Sequence, residues 1–279
     1  MEDWQVIVAG GRELAYTDIG DPGGPCVFFF HGAPMSRLHL VGLEDQFAAQ
    51  GLRVVSPDRP GYGRSSPQFG RSMADWPKDV AALADALGIE RFLVAAHSSG
   101  GPYAVACSAV LTDRVLAGAV VAGVTDMAWT GAWDGYLEDE IQLMRMPDEN
   151  AAVAWCAERF GADGRGFLEE PFEFPEPDVA LLADEMFGKA LAEALRQGVA
   201  GYAQDVYVQG RPWPFDPSSI SAPIEVAHGE ADTLLPIAHS RHTAELIPGS
   251  TFRIYPGHGH LTILSELPMI ASALVRSVS

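Results

Sequence analysis

The sequence has few cysteines, few basic residues and no long apolar run, and each of these features argues against a class of protein. It has only three cysteines in 279 residues, and they are far apart. This argues against a disulfide framework and against a zinc site of the usual spacing. The 18 Lys and Arg are outnumbered by 37 Asp and Glu, giving a net charge of −19. That charge argues against nucleic acid or anionic membranes as partners. No apolar run reaches 18 residues, so no membrane-spanning helix is predicted.

The cysteines and the N-terminal residues indicate the compartment. Cys26, Cys107 and Cys156 are predicted to be buried free thiols in a reducing environment. The segment from Met1 to Trp4 is acidic and no apolar segment follows it, so we expect no signal peptide. A cytoplasmic location is therefore expected.

The acidic residues are concentrated in one part of the chain. Residues 126–216 contain 19 Asp and Glu against 6 Lys and Arg. We interpret this window as a solvated helical face that keeps the protein soluble. The alternative is an electrostatic field over the mouth of an active site, which would disfavour anionic substrates.

Strand-like and helix-like segments alternate along the first 124 residues. Apolar or alternating runs predict strands at Trp4–Val8, Leu14–Asp18, Cys26–Phe30, Arg53–Ser56, Phe92–His97 and Val115–Val124. Helical spacing predicts helices at Leu43–Gln50, Trp76–Leu87 and Tyr103–Leu111. This alternation predicts an α/β fold with a mostly parallel, doubly wound sheet and helices on both faces.

The pattern changes between residues 125 and 213, where helical segments occur without a convincing strand. The clearest predicted helices are Ala151–Phe160 and Val179–Leu195, and Pro171, Pro175 and Pro177 predict a stiff linker between them. Strands resume at Ile224–His228 and Thr251–Tyr255, with helices at His239–Leu246 and Pro268–Val275. We therefore predict a core from residues 1–124 and 214–279, interrupted by a helical insertion at 125–213.

Ser98 follows the strand Phe92–His97, and two glycines and a helix-like segment follow Ser99. This strand–turn–helix pattern is typical of a nucleophile elbow, in which a serine hydroxyl is exposed above a sheet. The tight corner needs small residues on either side, and Ala96 and Gly100 flank Ser98. If Ser99 were the nucleophile, His97 would occupy the tight position, so Ser98 is favoured.

A serine needs a histidine to remove its proton and a carboxylate to orient that histidine. Asp232 follows one predicted strand, and His260 lies in the glycine-rich loop after the next. The order Ser98, Asp232, His260 is the order of this triad in α/β hydrolases. Taken singly, the aspartate could be a turn residue and His258 and His260 could be loop residues.

Two further features belong to this candidate site. His31-Gly32-Ala33-Pro34 follows the buried strand Cys26–Phe30, and the N–H groups of Ala33 and Ser99 are predicted to form an oxyanion hole. Asp126, which follows the preceding core strand, is the rival of Asp232 for the triad acid. Candidate substrate-binding residues are Met35, His97, Trp129 and Trp133, whereas Arg37 and His39 could face the pocket or cap a helix.

These motifs together resemble the α/β-hydrolase superfamily, specifically its serine-nucleophile members with a lid. The resemblance covers nearly the whole chain. His31-Gly32-Ala33-Pro34 resembles the oxyanion loop, and the turn from Asp58 to Ser65 is similar to the structural Asp-x-x-Gly-x-Gly-x-Ser turn. The loops ending in Asp232 and Leu261 resemble the acid and histidine loops, and the latter match selects His260 over His258. The resemblance implies that the insertion is a lid.

The resulting expectation is a serine hydrolase that cleaves an ester-like bond of a small, apolar molecule through an acyl-enzyme. No metal or cofactor is expected, and oligomeric state stays open. Carbon–carbon bond hydrolases, thioesterases, lactonases, perhydrolases and lyases resemble this scaffold and remain alternatives. Serine argues against the branches that attack with aspartate, and His97 is a feature shared with cofactor-free dioxygenases that resemble this fold. A non-catalytic ligand receptor is the alternative of another class.

Overall fold

An eight-stranded sheet forms the centre of the computed structural model, which describes residues 4–169 and 173–279. The strands, in chain order, are β1 Trp4–Val8, β2 Arg12–Gly20, β3 Cys26–Phe30, β4 Arg53–Pro57, β5 Phe92–His97, β6 Val115–Val121, β7 Ile224–Gly229 and β8 Thr251–Tyr255. Their spatial order is β1-β2-β4-β3-β5-β6-β7-β8. The pairs β1–β2 and β2–β4 are antiparallel and the remaining pairs are parallel.

Helices cover both faces of the sheet. They are α1 Glu44–Ala49, α2 Trp76–Ala86, α3 Gly101–Val110, α4 Glu138–Met144, α5 Glu149–Phe160, α6 Gly166–Glu169, α7 Val179–Leu182, α8 Glu185–Ala194, α9 Ala200–Gln209, α10 Ile237–Leu246 and α11 Leu267–Val278. One apolar layer packs α2 and α3 against the sheet, and the layer on the other face packs α1 and α11. The predicted α/β fold class, with its mostly parallel sheet, is confirmed.

The strand β3 shows why the sequence forms a buried parallel sheet. All five residues of Cys26–Phe30 are buried, because strands on both sides and helices above and below cover them. An uninterrupted apolar run is the pattern expected for such a strand. The three cysteines are all buried free thiols in the structure.

Between β6 and β7 the described residues form helices α4 to α9 and no strand. We call residues 125–213 the insertion. Its helices enclose a second apolar core, which also includes Tyr62, Val124 and Leu235 from segments that follow β4, β6 and β7. The linker predicted around Pro175 and Pro177 is partly a short 3-10 helix, Glu176–Asp178, whereas Pro171 lies outside the described residues.

The helix predicted at Val179–Leu195 is two helices, α7 and α8. The break has a local cause, because the Asp184 side chain accepts a hydrogen bond from the Met186 N–H at 2.7 Å. An aspartate in this position caps a new helix and competes with continuation of the old one. Within the described part of the chain, no helix is both long and apolar enough to cross a membrane.

Candidate active site

Four loops meet at the edge where the parallel strands end. They follow β3, β5, β7 and β8, which are close neighbours in the sheet. They carry, respectively, Ala33, Ser98, Asp232 and His260. Because the carboxyl ends of parallel strands share one edge, residues distant in sequence come together there.

Ser98 adopts a backbone conformation that is uncommon for a side-chain-bearing residue. Its φ is 55°, in the left-handed region, directly after the extended residue His97. The following turn has no room for a side chain at Gly100, because a Cβ there would lie 2.2 Å from the Phe30 carbonyl oxygen. Strain of this kind is concentrated at functional sites, and here it places the half-buried Ser98 at the start of the turn into α3.

His260 is held by Asp232. Its Nδ1 lies 2.8 Å from Asp232 Oδ2, and the other carboxylate oxygen accepts hydrogen bonds from the N–H groups of Leu234 and Leu235 at 2.9 and 3.0 Å. Burial opposes ionisation of Asp232, but His260 and the backbone donors outweigh it and lower the pKa of the carboxyl. The carboxylate therefore accepts the Nδ1 proton and leaves Nε2 unprotonated.

The rival acid, Asp126, has different hydrogen-bond partners. Its carboxylate accepts a hydrogen bond from the Ala128 N–H at 3.0 Å and caps a local turn. His258, the other histidine of the loop, lies 3.3 Å from Glu266. The structure thus brings Asp232 and His260 together and directs Asp126 and His258 elsewhere.

The loop after β3 is fixed from below by His31. This ring donates from Nδ1 to the Gly32 carbonyl at 2.7 Å and accepts at Nε2 from the Arg59 N–H at 3.1 Å. Burial, together with the nearby guanidinium of Arg59, lowers the pKa of His31 well below its ordinary value, so the ring is neutral. No acceptor for the Ala33 N–H occurs among residues 4–169 and 173–279. Ser99 lies in the first helical turn after β5, where N–H groups have no partner within the helix.

His260, His97 and His39 form a row in which each ring packs against the next. The ring of His97 lies 4.6 Å from that of His260, and its Nε2 donates to the His260 carbonyl at 2.7 Å. His39 lies 5.1 Å from His97 and accepts at Nδ1 from the Gly32 N–H at 3.2 Å. Burial, reinforced by His260, lowers the pKa of His97 to about 3, so this ring is neutral at physiological pH.

A cavity of about 260 Å³ opens above Ser98 and His260. The walls on the sheet side include Ala33, Met35, His97 and Leu261, and the insertion contributes Tyr136, Glu140, Phe167, Phe187 and Leu191. Most of these side chains are apolar, which suits a small organic ligand.

Two of the four candidate substrate-binding residues line this cavity and two do not. Met35 and His97 are part of its wall. Trp129 instead stacks on His242 with ring centroids 4.2 Å apart, and Trp133 packs under the Arg145 guanidinium at 4.7 Å. These tryptophans pack beside the second apolar core, where His242 of α10 and Arg145 of the insertion give them an aromatic and a cationic partner.

The sequence left open whether Arg37 and His39 face the pocket, and in the structure only one of them does. His39 lines the cavity, whereas Arg37 pairs with the buried Asp58 at 2.9 Å and with Glu193 of α8 at 2.7 Å.

Comparisons with known proteins identify the fold family. A model of the alpha/beta hydrolase fold matches residues 25–267. The chain belongs to the α/β-hydrolase fold family. It is an enzyme of that fold, because its relatives with described activities are esterases, haloperoxidases and other hydrolases.

Three relatives illustrate the similarity. A bifunctional esterase/perhydrolase from Acinetobacter calcoaceticus is 28% identical over 262 residues, covering 91% of this chain and 92% of the relative. A non-heme chloroperoxidase from Streptomyces lividans is 27% identical over 274 residues, covering 94% and 95%. A thermophilic esterase from Thermogutta terrifontis, solved with malate bound, has 25% identity and a TM-score of 0.71, covering 99% and 97%.

Sequence reasoning missed four acids of the insertion. Glu140 lines the cavity, and Asp178 binds the backbone after His260. Glu193 and Asp205 bind arginines of the core. Asp205 had a usable signal, since it is the one charged residue of helix α9. Asp178 had none, because it follows a proline-rich segment that reads as a linker. The acidic window at 126–216 is therefore more than a solvated face, because these four carboxylates point inward.

Proposed function

We propose that this enzyme is a serine esterase that cleaves small-molecule esters through an acyl-enzyme. The observation that carries the proposal is the 2.8 Å contact between Asp232 and His260 beside the same cavity that Ser98 lines. The similarity to two esterases supports the reaction type. The apolar cavity walls favour a substrate with an apolar body.

In the proposed reaction, Ser98 Oγ attacks the ester carbonyl carbon and His260 Nε2 takes the hydroxyl proton. Asp232 stabilises the resulting imidazolium through Nδ1. The tetrahedral intermediate collapses, its carbon–oxygen bond to the alcohol breaks, and His260 gives its proton to the departing oxygen. Water then attacks the acyl-enzyme, with His260 again as base, and releases the acid and free Ser98.

The N–H groups of Ala33 and Ser99 are the proposed donors to the oxyanion. Donors of this kind are fixed before the reaction, so they stabilise the developing charge without reorganising. Loss of one such donor typically costs about 10²–10³-fold in kcat. The neutral His31 and the Arg59 backbone keep the Ala33 loop in place.

Active-site labelling with a fluorophosphonate tests the proposal. We expect one phosphonyl group on Ser98, located by mass spectrometry, with parallel loss of activity on p-nitrophenyl butyrate. Ser98→Ala should lower kcat about 10³-fold or more. Ser99→Ala is the matched control, because it keeps the Ser99 N–H and removes a buried hydroxyl.

Two outcomes count against the proposal. Label on Ser99 or on no serine removes Ser98 as the nucleophile. If the wild-type protein and Ser98→Ala hydrolyse the ester equally fast, the chain is better interpreted as a non-catalytic ligand receptor.

The relatives favour a second use of the same acyl-enzyme, with hydrogen peroxide in place of water. An esterase/perhydrolase and a non-heme chloroperoxidase are among them. Attack by peroxide on the acyl group would release a peracid and free Ser98. We expect peracid from acetate esters and hydrogen peroxide with the wild-type protein and none with Ser98→Ala, and its absence from both restricts the enzyme to hydrolysis.

A further inference from the structure

The cavity contains one acidic side chain that the proposed ester hydrolysis does not use. Glu140 lies in the first turn of α4 and is 7% exposed, and it lines the cavity together with Ser98 and His260. Among the described lining residues it is the only acidic or basic side chain apart from histidines. Asp232 already orients His260, so the proposed reaction assigns no role to Glu140.

Glu140 has hydrogen-bond partners but no cationic one. Tyr136 donates its hydroxyl to Oε2, and Tyr202 donates to Oε1 at 3.3 Å. Within residues 4–169 and 173–279, no Arg or Lys pairs with it. A carboxylate offers about four acceptor positions, and the two phenols fill two of them.

Two other buried carboxyls of this region, those of Asp205 and Asp58, are compensated by arginines. Asp205 binds both Arg59, at 2.8 Å, and Arg71, at 2.6 Å, and Asp58 binds Arg37. Burial raises the pKa of Glu140 despite the two phenols, whereas the pKa of Asp205 is lowered by its arginines against the effect of burial. Glu140 is thus a buried acid in the wall of an apolar cavity, and no arginine or lysine of the described residues pairs with it.

A ligand that carries a hydrogen-bond donor would compensate this carboxylate. We propose that Glu140 is a specificity residue, which accepts a hydrogen bond from a hydroxyl or ammonium group of the substrate. This proposal rests on the proposed esterase function. The donor lies on the part of the ester that packs against the insertion. An ammonium group binds better than a hydroxyl because it also supplies the missing charge. A carboxylate at the same place is rejected by like-charge repulsion.

The test uses p-nitrophenyl esters of acyl chains with four to eight carbons, ending in a methyl, hydroxyl, ammonium or carboxylate group. For at least one of these chain lengths, the kcat/KM of the wild-type protein should be about tenfold higher for the ammonium ester than for the methyl ester of the same length. The hydroxyl ester should fall between them, and the carboxylate ester should be the poorest.

Two variants distinguish a role of Glu140 in substrate recognition from a purely structural role. In Glu140→Gln the amide keeps the shape and can still accept from a phenol, so the ammonium-to-methyl ratio should fall to about one. Glu138→Gln is the matched control, because Glu138 is an exposed acid in the same turn of α4. It should keep the wild-type ratio.

The other possible results contradict either the role of Glu140 or the esterase function. An unchanged ratio in Glu140→Gln, or a wild-type protein with no preference for the donor at any length, overturns the role of Glu140. Failure to hydrolyse even the methyl esters instead overturns the esterase function. If Glu140→Gln does not fold, competitive inhibition of the wild-type protein decides: hexylamine must inhibit at least about tenfold more strongly than hexanoate.

Discussion

The hydrogen bond between His260 Nδ1 and Asp232 decides which nitrogen of the ring can act as a base. A carboxylate can only accept, so it holds the proton on Nδ1 and leaves the lone pair of Nε2 free. His97 adds a second restraint by donating to the His260 carbonyl. The ring and the backbone of one residue are therefore both positioned by neighbours.

Replacing Asp232 by Asn should remove this control. The amide of Asn can present a donor to Nδ1, which favours the tautomer with a protonated Nε2. We expect kcat for p-nitrophenyl butyrate to fall about 10³–10⁴-fold. Asp126→Asn is the control, since this residue caps the Ala128 N–H, and it should retain activity within about threefold. The reverse outcome, with Asp126→Asn inactive and Asp232→Asn active, would transfer the role of the triad acid to Asp126.

Some residues of the site are predictable from sequence because their place is set by chain order alone. Ser98, Asp232 and His260 each follow a recognisable strand, so the topology of a parallel sheet brings them together. Glu140 is not predictable in this way. Its inward orientation depends on Tyr202, 62 residues later, and the only local sign is Tyr136, one helical turn earlier.

At the scale of elements, the short 3-10 helix Glu176–Asp178 holds the loop that carries His260. The buried Asp178 accepts from the N–H groups of Leu261 and Thr262, both at 2.9 Å, and from the Thr262 hydroxyl at 2.8 Å. Three hydrogen bonds thus converge on one carboxylate, directly after His260. Through Asp178, the insertion contributes to the position of His260 by binding the two residues that follow it.

Asp178→Asn should disturb this loop. The amide nitrogen would face N–H donors, leaving at least one of them unpaired, at a cost of about 1–3 kcal/mol in the free energy of unfolding. We expect kcat to fall about tenfold with faster hydrogen exchange at residues 259–262. Glu176→Gln, an exposed acid on the same 3-10 helix, should change neither. Unaltered exchange in Asp178→Asn would mean that the loop is held by other contacts.

Strands are more predictable here than the helices of the insertion. The strands Trp4–Val8, Cys26–Phe30, Phe92–His97 and Thr251–Tyr255 begin and end as predicted, because turn residues or abrupt changes in polarity bound them. In the insertion, α4, α6 and α9 lie outside the helices that the sequence predicts. Helix α9 is buried along most of its length, so it lacks the one-sided apolar pattern on which helix prediction depends.

At the scale of the whole molecule, buried neutral histidines couple stability to pH. Burial lowers the pKa of His31 and His39 well below the ordinary value, that of His97 to about 3 and that of His239 to about 4. In the unfolded chain these rings take up protons near pH 6.5. The unfolded state therefore binds more protons between pH 6.5 and 4, and stability decreases as the pH falls through this window.

His239→Gln tests this coupling away from Ser98. One group with these two pKa values adds a slope of about 1.4 kcal/mol per pH unit to the free energy of unfolding. Urea titrations between pH 4.5 and 6 should show a pH dependence for the variant that is shallower by up to that amount. An identical slope in both proteins would show that His239 is already charged in the folded state.

The insertion lies between β6 and β7, which are adjacent parallel strands. Any connection between such strands must cross over the sheet, so its length is not constrained by strand register. A homologous insertion could therefore be transplanted onto this core to change the substrate range. The graft would need acids equivalent to Asp178 and Asp205, because the backbone donors after His260 and the buried Arg59 and Arg71 would otherwise lose these carboxylate partners.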